Sequence, residues 1–291
     1  MLRLVLPKGS LEVATLQLFE DADLTVVRAS EVDYRAGVDD PRVDDVRILR
    51  PQEIPRYVAD GLFDVGITGR DWIEETGSDV VTLTELHYSK ATARPIRVVL
   101  AVAADSPATA VTDLPMGVRV HTEYPELTRR FFEKHGIDAD VSLSYGATEA
   151  KVPEIADAVV EITETGRALR AADLKILETI LVSYTELIAN PLAHADDAKR
   201  RAMEQIQTLL TGALEARGRV LVKLNIDEAN LDAVIGLLPA LKSPTVSKLF
   251  GEDGYAVETV VAKSEINTLI PALKQQGATD IIELPIAKIV H

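Results

Sequence analysis

The chain has 291 residues, 47% of them apolar, and its 46 acidic against 31 basic side chains leave a net charge of −15. That length predicts two or three compact units, and that charge disfavours a nucleic-acid backbone or an anionic membrane as partner. The absence of cysteine removes disulfides and thiol chemistry, and five scattered histidines do not make a metal site.

Residues 2–6 read as a strand, Pro7-Lys8-Gly9 as a turn, and Ser10 as the N-cap of a helix with Leu11, Ala14, Leu18 and Phe19 on one face. This start has no long apolar segment, and no run of membrane-spanning length follows, so a cytoplasmic enzyme or binding protein is expected. Strands follow near 24–28, 46–49, 65–68 and 80–83, with helices over 52–60 and 71–75. Such a βα series predicts a mostly parallel sheet with helices on both faces. Arg94-Pro95 marks a boundary, after which strands are expected over 96–102, 117–121, 141–144 and 158–162, with a helix over 126–135. Residues 175–189 are apolar and long enough to travel back, and Asn190-Pro191 ends them. A single amphipathic helix is expected over 196–218, with Met203, Ile206, Leu210, Ala213 and Leu214 at helical spacing and Gly218 as its stop. Beyond it, strands near 220–226, 245–250, 255–262 and 281–289 alternate with helices over 231–241 and 265–276. That βαββαβ order predicts a ferredoxin-like α+β unit.

The stretch ADAVVEITETGRAL over 156–169 carries the most chemistry. Its short β-branched run, stopped by Gly166, reads as a central strand of a parallel sheet. Thr163, Glu164, Thr165 and Gly166 form the turn, and a helix begins at Arg167. Unpaired N–H groups at that helix start, the hydroxyls of Thr163 and Thr165, and a glycine that admits close approach make an anion cradle. Glu161 and Glu164 would repel a bare phosphate, so the ligand should also bring vicinal hydroxyls or a divalent cation.

This strand, its acidic residues and the T-x-T-G turn resemble the phosphoribosyl pyrophosphate loop of the phosphoribosyltransferases, in the variant of the ATP phosphoribosyltransferases, the first enzymes of histidine biosynthesis. LRLVLPKGSL at the start, RPQEIPRYVADGLFDVGITGRD over 50–71, HTEYPEL over 121–127, YGATEA over 145–150 and LKSPTVSKL over 241–249 follow the order and spacing of that family's long form. The resemblance spans essentially the whole chain. It implies a two-lobed, periplasmic-binding-protein-like catalytic region with its site in the cleft, residues 175–189 recrossing to the first lobe, and a C-terminal regulatory domain. The expected boundaries are 1–93 with 176–195 for the first lobe, 94–175 for the second, 196–218 for a connecting helix and 219–291 for the regulatory domain.

The same resemblance implies roles. Thr163, Glu164, Thr165, Gly166, Arg167, Ala168 and Leu169 would hold the 5′-phosphate of phosphoribosyl pyrophosphate, Glu161 with Glu164 the ribose, and Mg²⁺ with Lys8 or arginines the departing pyrophosphate. No strong general base is needed if adenine N1 attacks. Lys8, Gly9, Arg50, Thr68, Gly69, Asp71, Tyr124 and Glu149 would line the ATP side, with Glu161, Lys8 and Glu149 as the catalytic set. Simpler readings stand beside these: a plain strand-to-helix turn at Lys8-Gly9, a strand cap at Arg50-Pro51, a helix N-cap at Asp71, and a helix cap or a base-packing ring at Tyr124. Two departures mark the chain, PKG where the family more often has PNKG, and Ala168 where it more often has Thr. In the regulatory domain Asp227, Ser243 and Thr245 would bind histidine as inhibitor, although Ser243-Pro244-Thr245 also reads as an ordinary proline turn. A homo-oligomer, dimer or hexamer, with no separate regulatory subunit is implied. A noncatalytic two-lobed small-molecule binding protein, or a phosphoribosyltransferase acting on another base, remains the alternative.

Overall fold

The computed structural model describes residues 1–30, 33–88, 95–239, 243–251 and 253–291, and the element and strand counts below refer to these. The boundary expected at Arg94 and the end of the helix expected over 231–241 fall outside them. The chain divides into two compact units, one of Met1–Glu20 with Leu24–Gln207 and one of Asp21–Asp23 with Thr208–His291.

The first unit starts with β1 (Leu2–Pro7), α1 (Glu12–Asp21), β2 (Val26–Val27), β3 (Arg35–Val38), β4 (Val43–Leu49), α2 (Ile54–Ala59), β5 (Val65–Gly69), α3 (Arg70–Thr76) and β6 (Val81–Leu86). It continues with β7 (Ile96–Ala103), β8 (Val118–Thr122), α4 (Pro125–Lys134), β9 (Ala139–Leu143), β10 (Ala158–Thr163), α5 (Arg167–Ala171), β11 (Leu174–Ser183), β12 (Thr185–Ala189) and α6 (Pro191–Ala195). Helix α7 (Asp197–Ala216) is the long amphipathic helix the sequence predicts.

Two sheets make the two expected lobes. One has the order β2-β3-β4-β1-β5-β12-β6, the other β11-β7-β10-β8-β9. Neither is mostly parallel, contrary to expectation. β1 runs parallel to β4 and β5, and β8 parallel to β9 and β10, but β7 and β12 are antiparallel to both of their neighbours. β2–β3 and β3–β4 are antiparallel as well, within one lobe, while β7 and β12 enter from the other lobe without a helical crossover and so need not match their neighbours' direction. The return also comes later than residue 176. β11 stays paired with β7 through Ser183, and the chain changes sheet at Tyr184.

Local chemistry explains the other differences. The strand expected over 24–28 shrinks to β2, because Asp23 takes a positive φ of 59° and the Leu24 N–H closes onto the Phe19 carbonyl. The short β3, with no apolar alternation, was not expected at all. Ser10 does not cap α1, whose first residue is Glu12, and the Glu12 carboxylate instead accepts from the Gly9 N–H at 3.3 Å. β5 is buried along its length, and a Cβ on Gly66 would lie 2.8 Å from both Ile54 and Val58, so glycine lets α2 lie against the strand. Pro125 opens α4, which buries Leu127, Thr128, Phe131 and Phe132.

The second unit holds β13 (Arg219–Ile226), α8 (Leu231–Leu237), β14 (Thr245–Lys248), β15 (Tyr255–Ala262), α9 (Ile266–Gln275) and β16 (Thr279–Pro285). Its antiparallel sheet has the order β14-β15-β13-β16, with Val222, Leu224, Val257 and Leu273 in the core. This is the ferredoxin-like unit expected from the element order.

Candidate active site

The phosphate-loop candidate begins where β10, the central strand of its sheet, ends. The Thr163 hydroxyl accepts from the Gly166 N–H at 2.7 Å and closes the turn, and Gly166 has φ +72°, a conformation that glycine adopts without a Cβ penalty. A Cβ there would also lie 2.8 Å from the Arg170 guanidinium. Leu169 anchors the loop in a cluster with Val99, Ala101, Val159 and Leu174, while Thr165, Arg167 and Ala168 are exposed.

Carboxylates gather beside this loop. Burial pushes the Glu161 carboxyl up, and the charges of Glu123 and Glu149 push the same way, while the Ile162 N–H and the Thr148 hydroxyl hold it back. Glu149 sits half-buried on the 3₁₀ turn Thr148–Lys151, entered through Ala147 at φ +48°.

A third group ties the lobes together. Asp71, fully enclosed, accepts from the Ser183 hydroxyl at 2.7 Å and the Tyr124 hydroxyl at 2.8 Å, and the Ser183 oxygen takes the Asp71 N–H at 3.0 Å. Burial raises the Asp71 carboxyl, which these hydroxyls partly offset, and burial with the Asp71 charge raises the Tyr124 phenol. Asp71 is therefore no N-cap, because Gly69 holds that position. A Cβ at Gly69 would lie 2.1 Å from the Asp71 carboxylate, so the glycine is there to make room for it. Tyr124 does not cap α4 by its side chain either. The Glu75 carboxylate from α3 takes the Glu126 and Leu127 N–H groups at 3.1 and 2.8 Å, and the Tyr124 ring lies 4.4 Å from that of Trp72.

A cavity of about 390 Å³ opens between the lobes. Gly69 and Asp71 line one side, Tyr124, Thr163 and Glu164 the other. Of the expected residues these are brought together. Lys8 instead stacks over the Tyr34 ring at 4.1 Å, the Thr68 hydroxyl donates to the Pro51 carbonyl at 2.9 Å, and Arg50 is exposed at the end of β4. Lys8, Gly9, Arg50, Thr68, Glu149, Glu161 and the rest of the loop, Thr165, Gly166, Arg167, Ala168 and Leu169, are not on the cavity wall. Gln52, Trp72, Tyr88, Glu123, Ser183 and Tyr184 are, and sequence reasoning passed over them. Trp72 adjoins the GITGRD motif and Glu123 lies within HTEYPEL, so motif adjacency could have found both; nothing local marks Ser183 or Tyr184.

In the second unit Asp227, Ser243 and Thr245 are exposed and do not form one cluster. Thr245 pairs with Glu258, whereas Ile226, next to Asp227, pairs with Tyr255 at the far end of β14, which is the edge strand two strands from β13. Three residues along and two strands across amount to roughly 14 Å.

The sequence pattern of the ATP phosphoribosyltransferase family matches residues 50–212, and that of the HisG C-terminal domain matches 216–288. ATP phosphoribosyltransferases from Desulforudis audaxviator and Pelotomaculum thermopropionicum are 49% and 47% identical to the chain, each over 99% of both sequences. Among solved structures, the ATP phosphoribosyl transferase (HisG:HisZ) complex from Thermotoga maritima contains a chain 26% identical, with a TM-score of 0.61 over 72% of this chain and 99% of that one.

Proposed function

The chain belongs to the ATP phosphoribosyltransferase family of histidine biosynthesis, and from that premise we propose that its interlobe cleft joins adenine N1 of ATP to the ribose C1 of phosphoribosyl pyrophosphate, releasing pyrophosphate. The observation that carries this reading is the cavity itself, where the end of the phosphate-loop strand, Thr163 and Glu164, faces Gly69 and Asp71 across the gap. The Gly166 turn holds the 5′-phosphate. Glu161, whose burial makes a second negative neighbour costly, accepts from the ribose hydroxyls and faces the positive charge that develops at C1 as the pyrophosphate bond stretches. Gly69 and the Trp72–Tyr124 ring pair hold the nucleotide so that N1 approaches in line, and positioning of this kind lowers the barrier without a base.

Mg²⁺ supplies charge compensation on the pyrophosphate. Among the described residues no three His, Asp or Glu side chains converge as a metal cage, so the ion would be held chiefly by the substrate phosphates, with a single carboxylate near the loop, such as Glu149 or Glu123, as the hard oxygen ligand the protein would add. The tested outcome is Mg²⁺-dependent release of pyrophosphate from ATP and phosphoribosyl pyrophosphate, with N1-(5-phosphoribosyl)-ATP identified by mass; binding of both substrates without pyrophosphate release at any Mg²⁺ concentration refutes the reaction.

The second unit is the regulatory part in this reading, and histidine is its ligand. The matched Thermotoga chain, from a HisG:HisZ complex, accounts for only 72% of this one, and residues 216–288 match the HisG C-terminal domain, which supports a chain that carries its own regulatory part without a separate subunit; assembly as a homo-oligomer, dimer or hexamer, belongs to the same proposal. Because Asp227 and the Ser243/Thr245 pair lie at opposite ends of the β14–β15 ladder, one histidine engages only one of these groups in any single chain. A chain ending at Arg217 should keep both substrate affinities and lose histidine inhibition; unchanged inhibition would place histidine in the cleft.

A further inference from the structure

Among the described residues, four side-chain polar atoms are enclosed with no hydrogen-bond partner, one each on Gln52, His121, Thr128 and Arg219. Of these residues only Gln52 lines the interlobe cavity, and its enclosed atom is the amide oxygen Oε1. The main chain around it is tied down. The Arg50 carbonyl takes the Glu53 N–H at 3.1 Å, Pro51 fixes its own φ, and the Thr68 hydroxyl fastens the Pro51 carbonyl to the end of β5 at 2.9 Å. An enclosed acceptor without a donor costs stability in the free protein, and buried polar groups otherwise find partners, so this oxygen points to a donor that arrives with a ligand.

The donor follows by elimination. Phosphate and pyrophosphate oxygens only accept, which removes them. The ribose of phosphoribosyl pyrophosphate is assigned above to the other lobe, so the donor belongs to the nucleotide, as its 6-amino group or a ribose hydroxyl. The amide chooses between these. It carries the Nε2 donor beside the Oε1 acceptor, and adenine offers the matching pair, the amino group and N7, which glutamine reads with both ends at once. A hydroxyl would engage only one end. Reading adenine on that edge also leaves the N1 lone pair free to attack. As N1 bonds to the ribose C1, positive charge spreads over N1, C6 and the amino nitrogen, so the amino N–H bonds its acceptor more strongly in the transition state than before it.

We propose that the Gln52 amide selects adenine, with Oε1 accepting from the 6-amino group and Nε2 donating to N7, and that Oε1 stabilises the cation forming as N1 reacts. This rests on the reading that ATP attacks through N1 in this cleft. Purines with a 6-oxo group present an acceptor where the amino group stands, and Oε1 repels them.

The test measures pyrophosphate release by the full chain with four nucleotides: ATP, purine riboside triphosphate, which lacks the 6-amino group and keeps N1, and the 2′-deoxy and 3′-deoxy forms of ATP. Gln52→Met keeps the length of the side chain and removes both ends of the amide. It should lower kcat/KM for ATP about tenfold and leave the KM for phosphoribosyl pyrophosphate unchanged. The preference for ATP over purine riboside triphosphate should shrink by the same factor, while the preference over the deoxy forms stays as in the parent. Gln52→Glu keeps an acceptor and should recover most of the loss in kcat. Because Gln52→Met removes an unpaired enclosed oxygen, the unliganded variant should melt at the parental temperature or above it. Should Gln52→Met not fold, Gln52→Leu takes its place. An unchanged preference for ATP over purine riboside triphosphate overturns the proposal, as does an equal rise in the KM for phosphoribosyl pyrophosphate. A preference over a deoxy form that shrinks in its stead gives the oxygen to the nucleotide ribose and overturns it too. A parent chain that releases no pyrophosphate from ATP overturns the N1 reading itself, and the role of Gln52 with it.

Discussion

Asp64 and Asp71 flank the two ends of one buried strand, β5, and both are almost fully enclosed, yet their carboxyls are pushed in opposite directions. Asp64 meets cations. Burial pushes it up, but the Arg3 guanidinium and backbone N–H and the Lys199 ammonium, all bonding within 3.2 Å, bring it down to about 2. Asp71 meets only the hydroxyls of Ser183 and Tyr124 and its neighbouring N–H groups, so burial wins and the carboxyl rises. The difference teaches how one strand serves two ends. At the amino end a compensated charge fastens β1, α7 and the strand together. At the carboxyl end, where α/β sheets place ligands, an under-compensated charge sits in the cavity wall.

Removing each aspartate should therefore give opposite signatures. Asp71→Ala leaves two buried hydroxyls without their acceptor and unties the lobes, so kcat/KM should fall about a hundredfold, roughly 2.7 kcal/mol of transition-state stabilisation. Steady-state kinetics with both substrates varied measures this. A variant that folds, melts lower and still turns over at the parental rate would make Asp71 a fastener like Asp64.

Asp64→Asn should do the reverse, lowering stability while folded molecules react normally. The native carboxyl is depressed from 3.8 to about 2, so its stabilisation is present above pH 4 and is lost as the pH falls through about 2. The shift corresponds to about 2 kcal/mol at neutral pH. Urea unfolding should show that loss at pH 7, and the variant and parent curves should converge near pH 2. A gap that persists at pH 2 would mean that the neutral amide, not the charge, disrupts the site.

The phosphate loop sharpens the contrast because it is local. Gly166→Val puts a β-branched residue at φ +72°, where residues other than glycine are strained, and in the turn proposed to hold the phosphate. The dissociation constant for phosphoribosyl pyrophosphate should rise about tenfold, roughly 1.4 kcal/mol by titration calorimetry, with that for ATP unchanged. Equal weakening of both would place the loop's effect on the cleft as a whole.

These two kinds of site also differ in how legible they were. Thr163 to Leu169 are contiguous, so the strand end and the glycine turn could be read in order, whereas Leu169, expected at the phosphate, is buried in the cluster under the loop. The element sequence gave the ferredoxin-like unit for the same reason. Ser183 lies 112 residues from Asp71, and its serine is ordinary in composition, so only the return of β11 to the lobe boundary reveals it. Strand direction departs from the sequence pattern because βα alternation predicts parallel pairing, whereas β2, β3 and β4 form an antiparallel ladder and β7 and β12 are inserted by chain crossings that carry no helix. Lys8 and Thr68 have the right chemistry by type, and a nearby ring and a carbonyl engage them in this structure.

The smallest expected effect separates the ring of Tyr124 from its hydroxyl. Tyr124→Phe removes one of the two hydroxyls that Asp71 accepts from and keeps the ring 4.4 Å from Trp72. Ser183 and the local N–H groups still hold the carboxylate, and the lost phenol leaves no unpaired donor behind, so the cost should be about 1 kcal/mol in unfolding free energy. The KM for ATP should stay within a factor of two or so of the parental value, since roughly 0.4 kcal/mol is all that such a factor represents. Tyr124→Leu loses both hydroxyl and ring, and should raise that KM further if the Trp72–Tyr124 pair packs on the adenine, because an aromatic pair contributes on the order of 1 kcal/mol beyond its buried area. Kinetics of the two variants side by side make the decision. If Phe and Leu weaken ATP equally, the hydroxyl's bond to Asp71 is what the nucleotide needs, and the two ends of β5 differ by that bond and not by the rings above it.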